Sequence, residues 1–409
     1  MSHLSVAKFG GTSVANYPAM QSCANIVIAD PNTRVVVLSA SAGITNLLVA
    51  LANGCEEPER NKLLNEVRQI QENILTALKD DSRVRPKIEA LLANITSLAE
   101  AANLATSLEL TDELISHGEM MSSLIFVEVW LDVRTIVATN SHFGKAAPND
   151  EQTRQNCDNL LKPLIERGEL VITQGFIGRD EQGKTTTLGR GGSDYSAALL
   201  AEVLNAQDVL IWTDVAGIYT TDPRIVSNAQ RIDTMSFSEA AEMATFGAKV
   251  LHPATLLPAV RSNIPVYVGS SKAPQEGGTW VTRNPQPRPT FRAIALRRDQ
   301  TLLTLSSLNM LHAQGFLANI FTILAKHKIS VDTITTSEVS VALTLDKTGS
   351  ASSGASLLSE ELLRELSEFC TVKVDVGLSL IALIGNELHT ASGVAKRIFE
   401  TLDAYNIRM

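Results

Sequence analysis

The stretch TTTLGRGGSDYSAALL, residues 185–200, holds residue types suited to binding charged groups. Its threonines favour a strand, its glycines a turn, and the apolar run after Ser193 a helix. A helix N-terminus presents unpaired N–H groups that attract anions. Arg190 adds a guanidinium fork for a carboxylate, and Asp194 suits a cation or an ammonium group. Taken alone, these residues fit equally well a solvated turn in which Asp194 caps the helix.

Other stretches repeat the pattern of a short strand followed by polar residues. In residues 4–14 (LSVAKFGGTSV), Lys8 lies near the end of a strand, directly before a glycine turn and a helix start. Residues 34–38 and 208–212 are typical of buried strands, and polar side chains follow each of them. Because functional residues follow the carboxyl ends of parallel strands, we expect these segments to meet at one edge of a sheet.

A long helical region interrupts this alternation. Apolar residues three and four apart predict helices over residues 57–105 and a further helix over 107–129. Within the latter, His117 is interpreted as a core histidine bonded to the backbone, whereas Glu119 among apolar neighbours needs a partner. Near Trp130 the pattern changes from helix to strand without a turn residue, although such connections normally take about 2–6 residues.

Composition limits the classes of function. The 409 residues are enough for two or three domains, and their 44% hydrophobic content is typical of a globular protein. A net charge of -9 without a basic run argues against nucleic acid and anionic membranes as partners. The cysteines are few and widely spaced, and no apolar run reaches the roughly 18 residues of a membrane span or resembles a signal peptide. We expect a cytoplasmic protein.

The C-terminal third has a different organisation. Residues 275–289 are rich in proline, glycine and glutamine and predict a domain boundary. After them a strand–helix–strand–strand–helix–strand order is typical of a small ferredoxin-like module. We therefore predict an α/β fold: a parallel-core sheet sandwiched by helices in residues 1–284, and an α+β region in residues 285–409.

Six ordered motifs resemble those of the aspartokinases of the amino acid kinase family: KFGGTSV, VVVLSASAGITN, SHGE, TTLGRGGSDY, WTDVAGIYTTDPR and FGAKVLHP. The segment TITTSEVSVALTLD resembles the lysine-sensitive, monofunctional branch, which carries two C-terminal ACT modules. Two departures from the family pattern are the short connection near Trp130 and a second ACT module that lacks its final strands and helix.

The resemblance implies ATP- and Mg²⁺-dependent phosphorylation of the L-aspartate side-chain carboxylate, the first step of lysine, threonine and methionine biosynthesis. It implies a catalytic role for Lys8, Gly10, Gly11 and Asp194, aspartate binding by Ser39, Thr45, Glu119, Arg190 and Ser193, and ATP binding by Thr213, Asp214, Tyr219, Arg224 and Lys249. Because magnesium is usually held by substrate phosphates and few protein groups, no protein ligand is named for it.

The resemblance also implies regulation by L-lysine through the ACT region. The matching effector positions are Met310, Phe316, Leu317, Ser330, Val331, Asp332, Ser337 and Glu338. Paired ACT modules of the family form a shared sheet across a homodimer, so we expect a homodimer or a higher homo-oligomer. Since the second module is incomplete, we expect lysine to bind but to inhibit weakly or not at all.

The chemistry can also be weighed from the residues. An aspartate side chain has a pKa near 3.9 and is already ionised at neutral pH, so its phosphorylation needs positioning and charge neutralisation rather than a general base. Glycine turns and strand-end lysines supply both. Two alternatives stay open: a kinase acting on another amino-acid carboxylate such as glutamate, and a non-catalytic amino-acid-binding remnant of a kinase.

Overall fold

The computed structural model describes residues 3–101, 103–127, 138–140, 146–189, 191–247, 251, 256–310, 314–346 and 358–407. The chain forms two compact units, one of Met1–Ala293 with Ile384–Met409 and one of Ile294–Leu383. In the larger unit the Arg292 N–H donates to the Ile384 carbonyl at 2.8 Å, so the points where the chain leaves this unit and returns to it are neighbours.

The strands of the larger unit are mostly short and buried. They are β1 Ser5–Phe9, β2 Thr33–Leu38, β3 Ala138–Asn140, β4 Ala146–Pro148, β5 Val171–Gln174, β6 Ile177–Arg179, β7 Thr185–Thr187, β8 Asp208–Thr213, β9 Thr234–Ser236, β10 Val266–Ser270 and β11 Gly278–Thr282. Among the described residues, seven of them form a sheet in the order β5-β2-β1-β8-β10-β11-β9.

Five neighbouring strands of this sheet, from β5 to β10, run parallel, and β11 is antiparallel to β10. Every residue of β1 is buried and β2 has no exposed residue, as is typical of strands in a parallel sheet. Because the five strands are parallel, their carboxyl ends lie at one edge of the sheet. The predicted parallel core is confirmed.

The α-helices of the larger unit that precede the smaller unit in the chain are α1 Tyr17–Ala29, α2 Ile44–Ala52, α3 Glu57–Leu75, α4 Arg85–Ala99, α5 Leu108–Val127, α6 Asp150–Leu160, α7 Lys162–Glu166, α8 Gly192–Leu204, α9 Phe237–Thr245 and α10 Leu257–Arg261. Residues of α1 to α5 share one apolar core with β1 and β2, including the fully buried Leu48, Ile88 and Leu114. None of the helices within the described ranges is long and apolar enough to cross a membrane.

The elements of the smaller unit are β12 Ala293–Ser306, α11 Phe316–Lys326, β13 Ser330–Thr336, β14 Ser340–Asp346, α12 Glu360–Ser367 and β15 Thr371–Ile384, of which the first residue of β12 and the last residue of β15 belong to the larger unit. In the described residues its sheet has the order β13-β14-β12-β15, and β14 is antiparallel to both of its neighbours. A separate apolar core joins this sheet to α11 and α12. The ferredoxin-like order of elements is confirmed. Helix α13, Val394–Asp403, follows in the larger unit.

Three predictions of local structure were wrong. The proline- and glycine-rich residues 275–289 contain β11, which belongs to the large sheet. The segments TVKVDV and LSLIALIG each have a strand pattern and predict two strands, but they form one strand, β15, which passes through Gly377 at a φ of 71° that glycine adopts without strain. The pattern of residues 151–167 predicts a single helix, but this helix is divided at Leu161, where Pro163 starts a new helix because it has no N–H to continue the first. The connection near Trp130 lies outside the described residues.

Candidate active site

The first glycine turn follows β1 at the carboxyl edge of the sheet. Lys8 is buried in β1, with 8% of its surface exposed, and the Gly10 N–H donates to the Trp212 carbonyl at 3.0 Å. A Cβ at Gly11 would lie 2.8 Å from the Ala40 carbonyl oxygen, which is closer than real Cβ contacts. Only glycine therefore allows this turn to approach the end of β2 so closely.

The second glycine turn leads from β7 into α8. Helix α8 begins at Gly192, and Asp194 lies in its first turn, where a carboxylate is favoured by the partial positive charge of the helix N-terminus. A Cβ at Gly192 would meet the Phe176 ring at 2.8 Å. Most of α8 is buried, so its N-terminus is held rigidly at the same edge of the sheet as Lys8.

An ion pair joins the two turns. Lys8 Nζ lies 2.6 Å from Asp194 Oδ1, and the two side chains are only 11% and 15% exposed. Buried charges need partners of opposite sign, so each group compensates the other across the space between β1 and α8. The pair brings a cation and an anion to one point, where each can also meet a charged ligand.

Glu119 is the most strongly perturbed carboxyl of this edge. It lies on α5 with 3% of its surface exposed, and its Oε1 accepts from the Ala40 N–H at 3.1 Å. Its Oε2 is buried and has no hydrogen-bond partner among the described residues. Burial raises the pKa of Glu119 to about 8, an effect that the Ala40 hydrogen bond and the nearby Lys8 charge oppose. A ligand cation at Oε2 would supply the missing partner.

His117, two residues earlier, is a core residue. It is 2% exposed, and its two ring nitrogens lie 2.7 Å from the Glu113 carbonyl oxygen and 2.9 Å from Asn94 Nδ2. Both nitrogens are therefore occupied within the helices, and the prediction of a core histidine bonded to the backbone is confirmed.

A cleft of about 960 Å³ gathers most of the predicted site residues. Its lining includes Lys8, Gly10, Gly11, Ser39, Thr45, Glu119, Ser193, Asp194, Thr213 and Asp214. The Ser39 backbone is fixed from two sides, because its N–H donates to the Phe9 carbonyl and its carbonyl accepts from the Ser122 hydroxyl. The cleft thus combines a cation, several carboxylates, hydroxyls and a helix N-terminus.

Two predicted site residues are not part of this lining, and two more lie outside the described residues. Tyr219 forms a β-bridge with Arg231, and Arg224 is exposed and pairs with Asp222 at 2.8 Å, both in the loop after β8. Arg190 and Lys249 lie outside the described residues. Their proposed contacts with substrate and nucleotide remain predictions.

The lining also contains residues that the sequence analysis missed, among them Asp112, Phe176 and Thr187. The Thr187 hydroxyl donates to Asp112 Oδ1 at 2.6 Å, and burial raises the pKa of Asp112. A signal was present in the sequence, since Asp112 lies seven residues before Glu119 and therefore on the same face of α5.

The predicted effector residues all belong to the smaller unit. Phe316 is in its core, with Met310 and Val331 packed against that core. Asp332 of β13 pairs with Arg297 of β12, and the Ser337 hydroxyl lies 2.8 Å from the Ser340 hydroxyl in the turn before β14. Ser330 opens β13, Leu317 follows Phe316 in α11, and Glu338 lies beside Ser337 in that turn.

Comparison with known proteins agrees with this geometry. Residues 3–270 match the amino acid kinase family, and the chain belongs to that family. It is 62% identical over 418 residues to the lysine-sensitive aspartokinase 3 of Escherichia coli (strain K12), an alignment that covers 100% of this chain and 93% of that protein.

Two solved structures of E. coli aspartokinase III are similar over the whole chain. One, a complex with aspartate and ADP in the R-state, has a TM-score of 0.88 at 61% identity, covering 100% of this chain and 93% of that one. The other, a complex with lysine and aspartate in the T-state, has a TM-score of 0.85 at the same identity and coverage.

Proposed function

We propose that this protein is an aspartate kinase, an ATP:L-aspartate 4-phosphotransferase. The observation that carries the proposal is the Lys8–Asp194 pair at 2.6 Å, which joins a phosphate-type glycine turn to a helix N-terminus inside one cleft. The similarity to E. coli aspartokinase III, which has been solved with aspartate and ADP, supports it. We assign residues 1–284 to catalysis and residues 285–409 to regulation.

Transfer needs no general base in this site. A side-chain carboxylate oxygen of aspartate attacks the γ-phosphorus of ATP, the bond from that phosphorus to the bridging oxygen breaks, and ADP leaves with the electron pair. Lys8 and the amides of Gly10 and Gly11 face the transferred group in this proposal. They neutralise negative charge that builds up on its oxygens, in a cleft that partly excludes water.

Aspartate itself is held by its α-substituents. Glu119 and Asp194 take the ammonium group, an assignment supported by the buried Oε2 of Glu119 that lacks a partner among the described residues. Arg190 takes the α-carboxylate, and the hydroxyls of Ser39, Thr45 and Ser193 complete the pocket. Because Glu119 binds a charge that is the same before and after transfer, its contribution is to substrate binding rather than to turnover. Asp194 also pairs with Lys8 at 2.6 Å and so keeps a catalytic role in this proposal.

ATP approaches from the end of β8. Thr213 and Asp214 line the cleft there, and Tyr219, Arg224 and Lys249 are proposed to complete the nucleotide site. Magnesium supplies charge neutralisation between the phosphates when it is bound. Because magnesium is usually held by substrate phosphates and few protein groups, we propose a magnesium ion carried by ATP.

A hydroxylamine assay tests the assignment. Purified protein is incubated with MgATP and aspartate, with glutamate, or without an acceptor, and both ADP and the aspartyl hydroxamate are measured. We expect both products to depend on aspartate. Equal rates with glutamate would favour a kinase of broader substrate range, and a rate with aspartate no higher than without acceptor would leave the non-catalytic remnant as the better interpretation.

We also propose L-lysine as effector, acting through the smaller unit. The E. coli relative is lysine-sensitive, and the effector residues predicted here lie on β13, on α11 and in the turn before β14 of one module. Calorimetric titration with lysine, run beside activity at saturating aspartate, separates binding from inhibition. A homodimer or higher homo-oligomer formed through the ACT region, and a cytoplasmic location, complete the proposal.

A further inference from the structure

Two buried serine hydroxyls meet behind the cleft. Ser13 lies in the turn after Gly11 and is 1% exposed, and Ser271 directly follows β10 and is 2% exposed. Their Oγ atoms are 2.6 Å apart although the residues are 258 positions apart in the sequence. We call this contact the serine bridge.

The serine bridge spans the carboxyl end of β8, which lies between β1 and β10 in the sheet. The Ser271 hydroxyl lies 3.1 Å from the Thr213 carbonyl, and the Ser13 hydroxyl lies 3.5 Å from the Trp212 carbonyl. A hydrogen bond from a hydroxyl donor is strongest at a donor–acceptor distance of about 2.7–2.8 Å and weakens as that distance grows. In the better arrangement, therefore, the Ser13 hydroxyl donates to the Ser271 hydroxyl, and the Ser271 hydroxyl donates to the Thr213 carbonyl. This chain of hydrogen bonds runs from the first glycine turn to the last residue of β8.

Backbone hydrogen bonds alone tie these loops at few points. The Gly10 N–H donates to the Trp212 carbonyl, and the Ser271 N–H donates to the Thr213 carbonyl. Beyond these positions the sheet ends and its ladder no longer fixes the chain. The serine bridge is therefore the side-chain link that sets how far the Gly10–Gly11 turn lies from Thr213.

We propose that Ser13 and Ser271 are positioning residues for phosphoryl transfer. The inference rests on the proposed function, in which Lys8 and the first glycine turn face the transferred phosphoryl group while Thr213 and Asp214 hold the nucleotide. Neither serine is among the described residues that line the cleft. The serine bridge acts through the backbone and holds the phosphoryl-binding turn in register with the nucleotide-binding strand end.

This role predicts a specific kinetic pattern. Loss of either hydroxyl lets the turn shift by a fraction of an ångström, and a misplacement of about 1 Å costs about 100-fold in rate. We expect Ser13→Ala and Ser271→Ala each to lower kcat roughly tenfold. The KM for aspartate should change less than about twofold, because the serine bridge does not include Glu119 or Asp194, which bind aspartate in the proposed function. The double variant should be no slower than the slower single variant, because both changes break one link.

Ser116→Ala is the matched control. Ser116 is also 1% exposed, but its hydroxyl donates at 2.7 Å to the Glu113 carbonyl within its own helix. This variant loses an equally buried hydroxyl without touching either loop, so its kcat should equal that of the wild type. Thermal unfolding of all variants verifies that the proteins are folded at the assay temperature. If an alanine variant does not fold, Ser13→Cys, which nearly conserves volume but donates weakly, takes its place with an expected intermediate kcat.

The outcomes separate this inference from the proposed function. Wild-type protein without aspartate-dependent ADP formation would overturn the function, and the positioning role with it. An active wild type whose two serine variants match Ser116→Ala in kcat would overturn the serine bridge alone. Multiplicative losses in the double variant would do the same, because they would show that the two hydroxyls act independently.

Discussion

The two glycine turns of the cleft have similar sequences and opposite chemistry. The first follows β1 of the large sheet and carries the cation Lys8, whereas the second follows β7 of the two-stranded β6–β7 sheet and carries the anion Asp194. The first is packed against backbone, since a Cβ at Gly11 would meet the Ala40 carbonyl, whereas the second is packed against the Phe176 side chain at Gly192. The first turn is also fixed by the serine bridge.

The difference indicates that the two turns have different roles. A turn fixed against backbone can hold a group to within tenths of an ångström, which phosphoryl transfer requires. The second turn begins α8 and carries Asp194, which we propose binds the ammonium group of the substrate. We therefore expect changes at the first turn to act on turnover, and changes at the second turn and at Glu119 to act on aspartate binding.

Lys8→Ala should have the largest effect. Removal of one charged donor from a transition state costs about 10²–10³-fold in kcat, while the KM for aspartate should change little. Initial rates at saturating MgATP, with aspartate varied, measure both constants. The surface lysine Lys62, which pairs with Glu59 on α3, provides the control Lys62→Ala. An unchanged kcat in Lys8→Ala would remove the proposed contrast between the turns.

Glu119→Gln should act on binding instead. Loss of a charged partner for the ammonium group costs about 1.5–3 kcal/mol, so the KM for aspartate should rise roughly 10- to 100-fold with a smaller change in kcat. Glu109→Gln, at an exposed position of the same helix, is the control. A large loss of kcat at unchanged KM would show that Glu119 acts on turnover, as the first turn is expected to do, and not on aspartate binding.

The same variant should be more stable than the wild type in alkaline solution. The pKa of Glu119 is about 8 in the fold and near 4.5 in the unfolded chain, so the unfolded state binds fewer protons between these values. Wild-type stability therefore falls as pH rises through this window, whereas the neutral amide of the Glu119→Gln variant does not titrate and escapes that loss. Thermal unfolding of Glu119→Gln and wild type at pH 5 and pH 8 measures the difference, and an advantage that does not grow with pH would contradict it.

Aspartate binding should depend on pH for the same reason. Glu119 is mostly protonated at neutral pH, and an ammonium ligand favours its ionised form, so binding releases a proton. Affinity should rise about tenfold per pH unit between pH 6 and 7 and level off above pH 8. Calorimetry in buffers of different ionisation enthalpy counts the proton released. Zero release at pH 7 would show that the ammonium group does not contact Glu119.

Alanine substitutions in the turns should give the smallest effects and the finest test. Gly11→Ala presses a new Cβ against the Ala40 carbonyl oxygen, so the turn must shift by tenths of an ångström. Since a misplacement of about 1 Å costs about 100-fold in rate, this smaller shift should lower kcat roughly fivefold. Gly10→Ala should lower kcat less than Gly11→Ala, because its Cβ would lie at ordinary contact distances, 3.6 Å from the Trp212 carbonyl oxygen and 3.7 Å from Lys8 Nζ. Gly192→Ala places a Cβ 2.8 Å from the Phe176 ring and 3.0 Å from Leu188 Cβ at the start of the helix that carries Asp194, so it should change mainly the KM for aspartate, by about twofold. Equal effects at Gly11 and Gly192 would erase the distinction between the turns.

Much of the site was predictable because parallel strands end at a common edge. That rule brought Lys8, Ser39 and Thr213 together from sequence patterns alone. It could not find the contact between Asp112 and Thr187, which depends on how α5 packs against β7.

The serine bridge was equally hidden. Ser13 and Ser271 are ordinary small residues in the sequence, and only the sheet order brings them within 2.6 Å. Strand β11 was missed because its glycine- and proline-rich surroundings indicated a linker, although its pairing with β10 and β9 decides its structure. Local propensity is a weak guide where tertiary pairing supplies the stabilisation.

The hydrogen bond from the Arg292 N–H to the Ile384 carbonyl has a consequence for how this chain can vary. Because this hydrogen bond joins its two ends, the chain segment between Arg292 and Ile384 forms a closed loop with respect to the larger unit. The entropy of closing a flexible loop grows only with the logarithm of its length, by about 0.6 kcal/mol for each doubling. Insertions or deletions within that loop would therefore cost the larger unit little in stability, which leaves the intervening segment free to change in length and in ligand preference while the sheet edge that carries Lys8 is preserved.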